Sequence, residues 1–336
     1  MMERRRLVAA AAAATLHAAA SRAQARPTLR IARIQGINFL PTYLMQRRRL
    51  VEAHAEQLGL SGAQVEWIDF TGGGNATDSM LAGAVDVVNA GPGNMLLLWD
   101  RTRGGVKGIV SNSALPATLV SRDPRLKAVT DYGPNDRIAV PTVLVSTQAI
   151  LLEIAAERAY GADQWRHFNT NAVQLGHGDA YGAMMNPSHE VRSHFASPPF
   201  ITRELQNVPG AHVVTSSSDI LGSPLSTAVM FTTTRFAEQQ PVLVKAVAAA
   251  SAEVIATIRS DPEQAARDYL DTSNDRMVQA ELVALLGLPD MVFGVKPEGT
   301  LRFAEFLNGS VKNLGRYAAS WIAWWPNRPS SRAALT

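Results

Sequence analysis

From about residue 28 onward the sequence alternates between stretches with strand period and stretches with helical period, and most switches pass through a short turn of Gly, Asn, Ser or Thr. That alternation restricts the chain to βαβ units around a mostly parallel sheet, an α/β architecture. Residues 29–34 alternate as a strand, and Gln35-Gly36-Ile37-Asn38 breaks the pattern with turn chemistry. Residues 41–59 then have helical spacing and close near Gly59. Residues 65–70 form a second strand, followed by Thr71-Gly72-Gly73-Gly74-Asn75 and a short helix through Leu81. A third strand at 85–90 ends in Gly91-Pro92-Gly93, and a fourth at 106–110 runs into Ser111-Asn112.

In open α/β sheets ligands bind beyond the carboxyl ends of the strands, so these turns are the place to look. The candidates are Gln35, Gly36, Asn38 and Phe39; Thr71, Gly72 and Gly73; Asn89, Ala90 and Gly91; and Ser111 with Asn112. The turns carry no Lys or Arg, which argues against a ligand with several charges. They offer backbone amides and neutral polar groups instead. Where Gly72-Gly73-Gly74 opens a helix, exposed N–H groups and the positive end of the helix dipole favour an anion, although a Gly run also makes an ordinary strand-to-helix turn. No Lys-Ser or Lys-Thr follows at the spacing of a phosphate-binding P-loop.

A second α/β block begins after Pro116. Residues 118–120 are extended, 137–140 form a strand, and Pro141-Thr142-Val143-Leu144-Val145-Ser146-Thr147-Gln148 leads into a helix over 147–159. Ser146 fits an N-cap, and Ser146 and Thr147 either cap that helix or present hydroxyls to a ligand; Thr142 and Gln148 are candidates beside them. Residues 168–175 read as a strand, 179–185 as a short helix and 191–195 as a strand. That last strand delivers His194-Phe195-Ala196-Ser197-Pro198-Pro199-Phe200. Two Pro rings fix φ there and remove two donors, so the neighbouring side chains are held with little entropy left to lose. His194, Phe195 and Ser197 are the candidates from this turn, with Phe39, Tyr43 or Phe195 able to cover an apolar part of a ligand. A strand at 228–233 precedes a long helix over 241–259, and Asp261-Pro262 restarts a helix with a cap and a Pro at its first position.

The N-terminus carries Arg4-Arg5-Arg6, an Ala-rich apolar run over 7–20 too short to span a bilayer, and small residues around Ala25. This has the pattern of an export signal over 1–25, cleaved near Ala25, by the Sec or the twin-arginine route. The formal net charge of +3 belongs to that leader. Without Arg4, Arg5, Arg6, Arg22 and Glu3 the chain has 28 basic and 28 acidic residues, so composition gives no support for a nucleic-acid partner. The chain has no Cys, hence neither disulfides nor a lipid-modified Cys. No later apolar run reads as a transmembrane helix, and a freely diffusing periplasmic monomer is expected.

The same residues give little support to other chemistry. His177, His189 and His194 with Asp179 and Glu190 match no tetrahedral metal spacing, no cofactor fingerprint is present, and there is no Gly-x-Ser-x-Gly nucleophile turn. No metal, cofactor or catalytic residue is assigned. Ser216-Ser217-Ser218 with Asp219 reads as a polar loop, and Trp321, Trp324 and Trp325 as packing anchors of a final helix, or an exposed group touching a membrane partner.

Taken in order, several segments resemble one family over roughly residues 28–325. They are the export signal, the Leu29-Arg30-Ile31-Ala32 strand, the Gly-rich turn and Met80-Leu81-Ala82-Gly83-Ala84-Val85-Asp86-Val87. The strand from Arg137 to Pro141, the His194 to Phe200 turn and the helix opening at Thr233, Arg235, Phe236 and Pro241 complete the set. The family is the substrate-binding proteins of nitrate, sulfonate and taurine ABC transporters, which also include binders of thiamine pyrimidine precursors. The resemblance implies a periplasmic-binding-protein fold, with two α/β lobes joined by two crossing strands and a ligand cleft between them. Lobe one would comprise 26–117 with 230–336, and lobe two 118–229. It further implies a small-molecule ligand, closure by a hinge, and an ABC permease as membrane partner. Where the family often has Ala-Leu-x-x-Gly-x-x-Asp-Ala, this chain has Met184-Met185-Asn186-Pro187-Ser188-His189-Glu190, and His194 stands where Asp is frequent. A small organic anion of sulfonate or carboxylate type is the expected ligand. The alternatives are a binder or enzyme for a pyrimidine-type ring, for which His194 is the reactive candidate, and a ligand sensor for a membrane partner.

Overall fold

The computed structural model describes residues 27–307; the proposed signal at 1–25, the stretch 308–336 and the three Trp at 321, 324 and 325 lie outside the described residues. The first run of elements is β1 (Thr28–Ile34), α1 (Leu40–Arg48), α2 (Leu50–Gln57), β2 (Gln64–Phe70), α3 (Gly73–Leu81), β3 (Val87–Ala90), α4 (Pro92–Arg101) and β4 (Val106–Ala114). The second is β5 (Thr118–Ser121), β6 (Arg137–Val140), α5 (Thr147–Tyr160), β7 (Ala172–Gln174), α6 (His177–Met185), β8 (Val191–Ala196), α7 (Phe200–Asn207), β9 (His212–Ser216) and α8 (Ser217–Leu221). The last is β10 (Ala228–Thr233), α9 (Thr234–Gln239), α10 (Pro241–Ser260), α11 (Pro262–Ser273), α12 (Gln279–Leu286), β11 (Val292–Phe293) and α13 (Thr300–Phe306).

These strands form two sheets, in the orders β11-β4-β10-β3-β1-β2 and β7-β6-β8-β5-β9. The chain leaves the first sheet after Ala114, enters the second at Thr118, and returns to the first at Ala228. Each sheet is mixed rather than mostly parallel. β1 runs parallel to β2 and β3, but the returning β10 lies antiparallel between β3 and β4. β6 runs parallel to β7 and β8, while β5 lies antiparallel between β8 and β9. The antiparallel members are β10 and β5, which follow the two crossings, and the short edge strand β11 on β4, and a βαβ reading of the sequence does not anticipate them.

Local chemistry accounts for many boundaries. Ser146 caps α5 by accepting from Ala149 N, Thr233 caps α9 by accepting from Phe236 N, and Asp261 caps α11 by accepting from Gln264 N, with Pro262 at the first position. Ser216 and Asp219 bond reciprocally as a capping box that opens α8, so the serine run starts a helix rather than a plain loop.

Other boundaries differ from the sequence pattern. The helix expected over 41–59 is divided at Arg49, which is left-handed at φ 54°, and Arg48 beside it pairs with Asp268 of α11 at 2.6 Å. The strand expected at 106–110 continues to Ala114, because β10 pairs with it as far as Ser113 and β11 extends the ladder to Ala114. The strand expected at 85–90 begins at Val87, and that at 168–175 shortens to Ala172–Gln174.

Two large apolar clusters hold the molecule. One packs α1, α2, α10, α11 and α12 on one face of the first sheet, with Tyr43 and Tyr269 meeting edge-on at 5.2 Å. α10 is long and apolar enough to cross a membrane by length and composition, in contrast to the sequence expectation. Here it packs against α2 and β4 and buries Leu243, Val247, Val254 and Ile258 in that cluster. The other cluster is continuous from Val88 and Val229 through α4 and α5 to Leu119, Ile138 and Phe195 of the second sheet.

Candidate functional site

Because β1, β2 and β3 are parallel, their carboxyl ends meet at one edge, and the same holds for β6, β7 and β8 in the second sheet. The two edges face each other across a cavity of about 440 Å³. Its first wall is made by Ile34 to Phe39 after β1, Thr71, Gly72 and Gly73 after β2, Gly91 and Asn94 after β3, and Thr227 ahead of β10. Its second wall is made by Pro141, Thr142, Ser146, Thr147 and Gln148 after β6, Gly176, His177 and Gly178 after β7, and Ser197 to Phe200 with Arg203 after β8. Asp275, from the segment after α11, completes the lining.

Helix starts dominate this surface. The N-caps of α3, α4, α5 and α6 are Gly72, Gly91, Ser146 and Gly176, and all four line the cavity. Three of the four are glycines and offer no side-chain cap, so their first-turn amides are not satisfied by the helix's own cap. Each start carries the positive end of a helix dipole, and together they make the cavity favourable to a negative group. Gly91 also permits close approach of the two walls, since a Cβ built there would lie 2.6 Å from Thr147 Oγ1.

The second wall adds side-chain chemistry. Gln148 Nε2 donates to Ser197 Oγ at 3.0 Å, tying α5 to the turn after β8. The half-buried His177 places Nδ1 2.8 Å from His194 Nε2, and His194 places Nδ1 2.5 Å from Glu204 Oε1. His194 and Glu204 are completely buried, and the second Glu204 oxygen is buried without a partner among the described residues. Burial holds both imidazoles well below the usual histidine range, with His194 adding to the effect on His177, and pushes the Glu204 carboxyl up to about 8. Phe200 stacks against His177 at 5.7 Å between ring centroids. Arg203 is held at 3.2 Å by Glu281 of α12, so this ion pair spans from an element of the second sheet's lobe to one of the first's.

Of the residues expected from sequence, the structure brings Gln35, Gly36, Asn38, Phe39, Thr71, Gly72, Gly73, Gly91, Thr142, Ser146, Thr147, Gln148 and Ser197 to the cavity. Ser146 both caps its helix and lines the cavity. Six do not line it. Asn89 and Ala90 lie inside β3, and Ser111 and Asn112 inside the extended β4, all of them buried. Both side-chain polar atoms of Asn89 and of Asn112 lack a protein partner among the described residues. Phe195 is fully buried in the cluster that runs through α4 and α5, because β8 is an interior strand covered on both faces. His194 sits one layer behind the wall and reaches the cavity only through His177. Tyr43 is likewise buried away from the cavity, against Tyr269.

Sequence reasoning missed His177, Phe200, Arg203 and Asp275 as lining groups. Gly176-His177-Gly178 obeys the same strand-end rule as the other turns, and the shortness of β7 hid it. Phe200 was in the Pro-Pro segment, with its role given to Phe195. Arg203 enters from within α7, and Asp275 from a distant segment where it accepts from Tyr269 Oη and Met277 N, so neither has a local signal. Arg203 also corrects the expectation of a lining without Lys or Arg.

No protein-family model and no curated protein sequence matches the chain. Solved structures do match in three dimensions. The periplasmic aliphatic sulphonate binding protein SsuA from Escherichia coli superposes with a TM-score of 0.62 at 18% identity, over 83% of this chain and 86% of that one. The alkanesulfonate-binding protein SsuA from Xanthomonas axonopodis pv. citri, bound to MOPS, gives 0.65 at 16% identity over 84% and 93%. The CA3427 gene product of Candida albicans, described as having the generic periplasmic binding protein fold, gives 0.63 at 12% identity over 86% and 90%. Two mixed sheets joined by two crossings, with the ends of their parallel strands facing across a cavity, are how this chain is built, and it has the periplasmic-binding-protein fold.

Proposed function

We propose that the protein is an extracytoplasmic solute-binding protein of an ABC importer, capturing a small organic anion of sulfonate or carboxylate type and delivering it to a membrane permease. The observation that carries this reading is the convergence of four helix N-termini on one cavity between the two lobes. An anionic head group would accept from first-turn amides on both walls, and Phe39 and Phe200 would cover its apolar part. Ligand contacts made by both walls at once favour the closed arrangement, which is how binding becomes lobe closure. Lobe limits of 26–117 with 230–336 and of 118–229 put the hinge in the two crossings. Sulfonate binders among the structural neighbours support the ligand class, and their periplasmic setting agrees with the leader pattern at 1–25. We assign no catalytic step and no cofactor.

A thermal-shift screen of residues 26–336 against alkanesulfonates, carboxylates, nitrate and pyrimidines tests the reading. A ligand at a hundred times its dissociation constant stabilises by about 2.7 kcal/mol, a shift of several degrees. Response to sulfonates or carboxylates supports it. Response confined to pyrimidines transfers the site to the ring-binding alternative, which the pair Phe39 and Phe200 in the lining favours.

A further inference from the structure

The cluster Glu204–His194–His177 is absorbed by neither the helix starts nor the fold. It is a continuous file of hydrogen-bonding atoms running from a completely buried carboxyl to a side chain on the cavity wall. Each interior link uses both functional nitrogens of His194, and His177 spends Nδ1 on His194. The hydrogen bond that His177 makes among the described residues uses Nδ1, so on this cavity-lining residue Nε2 is the atom left to meet a ligand.

Proton counting fixes what that atom can do. With three protons on the file, Glu204 donates to His194 Nδ1, His194 Nε2 donates to His177 Nδ1, and His177 Nε2 carries N–H. Moving the Glu204 proton along the file yields the same donor at the far end, now on an imidazolium. With two protons, the Glu204 carboxylate accepts from His194 Nδ1, His194 Nε2 accepts from His177 Nδ1, and His177 Nε2 is a bare lone pair. Wherever the protons reside, the total alone decides whether the cavity sees a donor or an acceptor.

We propose that Glu204, His194 and His177 form a proton-counting relay that sets the ligand preference of the cavity, its three-proton form donating from His177 Nε2 to an anionic oxygen, so that above the relay's titration each bound anion takes up one proton. The proposal rests on the reading of the cavity as an anion site and names how that site is regulated. Burial with one unpartnered oxygen favours the protonated carboxyl, and the Glu204 value near 8 puts the titration on the alkaline side of neutrality. Repulsion of a second anionic charge by the two-proton form, which is itself negative, acts in the same direction.

Other charges surround the relay without entering it. Asp179 and Tyr181 belong to α6, Arg137 to β6, and Arg192 to β8, where it pairs with Asp123 at 3.2 Å. Arg203 of α7 is paired with Glu281, Asp275 accepts from Tyr269 and Met277, and β5 carries no titratable side chain.

The test is calorimetric titration with 1-butanesulfonate, whose charge is constant across the range, and with butyrate. Two sulfonate-free buffers of unequal ionisation enthalpy are used at pH 6 and at pH 9. The expected result is close to one proton taken up per anion at pH 9 and almost none at pH 6, with affinity falling up to tenfold per pH unit above the titration. Glu204→Gln keeps the size of the side chain and cannot titrate, so it binds with no proton uptake and a flat profile. Flat wild-type affinity with no uptake, or an unchanged slope in E204Q, overturns the relay. If neither anion binds at any pH, the anion-site reading fails, and the relay is decided without ligand by imidazole ¹⁵N spectra of the wild type. Conversion of His177 Nε2 from N–H to lone pair between pH 6 and pH 10, absent in E204Q, supports it. A His177 Nε2 that does not change overturns it.

Discussion

The two walls of the cleft are built on the same plan, with parallel strand ends running into helix starts, yet they offer a ligand different chemistry. The first wall presents glycines and backbone amides at Gly36, Gly72, Gly73 and Gly91, and what it offers is a dipole direction that no proton can alter. The second presents side chains, with Gln148 on Ser197, Phe200 on His177, Arg203 and the relay behind them. The difference follows from what comes after each strand. β1, β2 and β3 pass into turns that bring main chain to the edge, whereas β7 and β8 pass into His177 and into Ser197-Pro198-Pro199-Phe200, which bring rings and hydroxyls. On the proposed reading, one wall would supply an anion site independent of pH, and the relay behind the other would decide which anion binds and when.

The largest expected effect separates the second wall from the core behind it. Phe195→Ala removes a fully buried ring from the cluster that joins the lobes, and should cost about 3–5 kcal/mol in urea unfolding. Phe200→Ala, five residues later on the wall itself, should leave the unfolding midpoint nearly unchanged and weaken ligand binding by about 1 kcal/mol. Equal losses of stability in both would place the two rings in the same layer and erase the distinction between wall and core.

A second prediction separates pH effects on stability from pH effects at the cleft. Glu153 of α5 is 4% exposed and lies by a second cavity with Trp165, Arg166 and Asn169, away from the cleft lining. Burial pushes its carboxyl up to about 7, with opposing effects from a hydrogen bond with Asn169 and from Arg166. A raised carboxyl is favoured in the folded protein while protonated. Its contribution is therefore complete below about pH 4.5 and is lost as pH rises to about 7, a total on the order of 3 kcal/mol. Glu153→Gln should flatten the fall in stability over that interval while leaving the alkaline slope of anion affinity in place. Loss of the affinity slope in this variant would move the pH sensitivity out of the second wall.

A third tests how closely the walls meet. In Gly91→Ala the new methyl must displace the Thr147 hydroxyl across the cleft, and the backbone at Gly91 is already in a region that Ala accepts. Affinity should fall about tenfold, or about 1.4 kcal/mol, with little change in ligand-free stability. Thr147→Ala in the same protein should restore much of it. An Ala at 91 that binds as well as the parent would show that closure leaves slack between the walls.

The first wall was largely legible in the sequence because its chemistry is carried by glycine and turn residues at strand ends, where local pattern and function coincide. Gly36, Gly72, Gly73 and Gly91 all reach the cavity from that rule alone. The second was legible only in outline. Ser146, Thr147, Gln148 and Ser197 obey the rule, but His194 and Phe195 were placed one layer too far forward. An interior strand buried on both faces gives no alternation from which to read depth. Ser111 and Asn112 failed for a related reason: the ladder that extends β4 is formed with β10, more than a hundred residues away. Arg203, Glu204 and Asp275 acquire their roles only through tertiary packing.

Arg203 and Glu281 give the smallest expected effect and the sharpest question about closure. Their 3.2 Å contact joins α7 to α12 across the cleft, and the side chains are 27% and 38% exposed. Water and salt screen such a pair, and ordering two long side chains offsets much of the Coulomb attraction. A double-mutant cycle with Arg203→Met and Glu281→Gln, read in anion affinity, should give a coupling below about 1 kcal/mol that shrinks further at high salt. A value that small leaves lobe closure to the ligand's simultaneous hold on both walls, with the ion pair adjusting how long the closed state lasts. A larger, salt-resistant coupling would mean that the lobes are latched by their own side chains, and the helix starts of the first wall would then be selecting a ligand for a cleft already inclined to close.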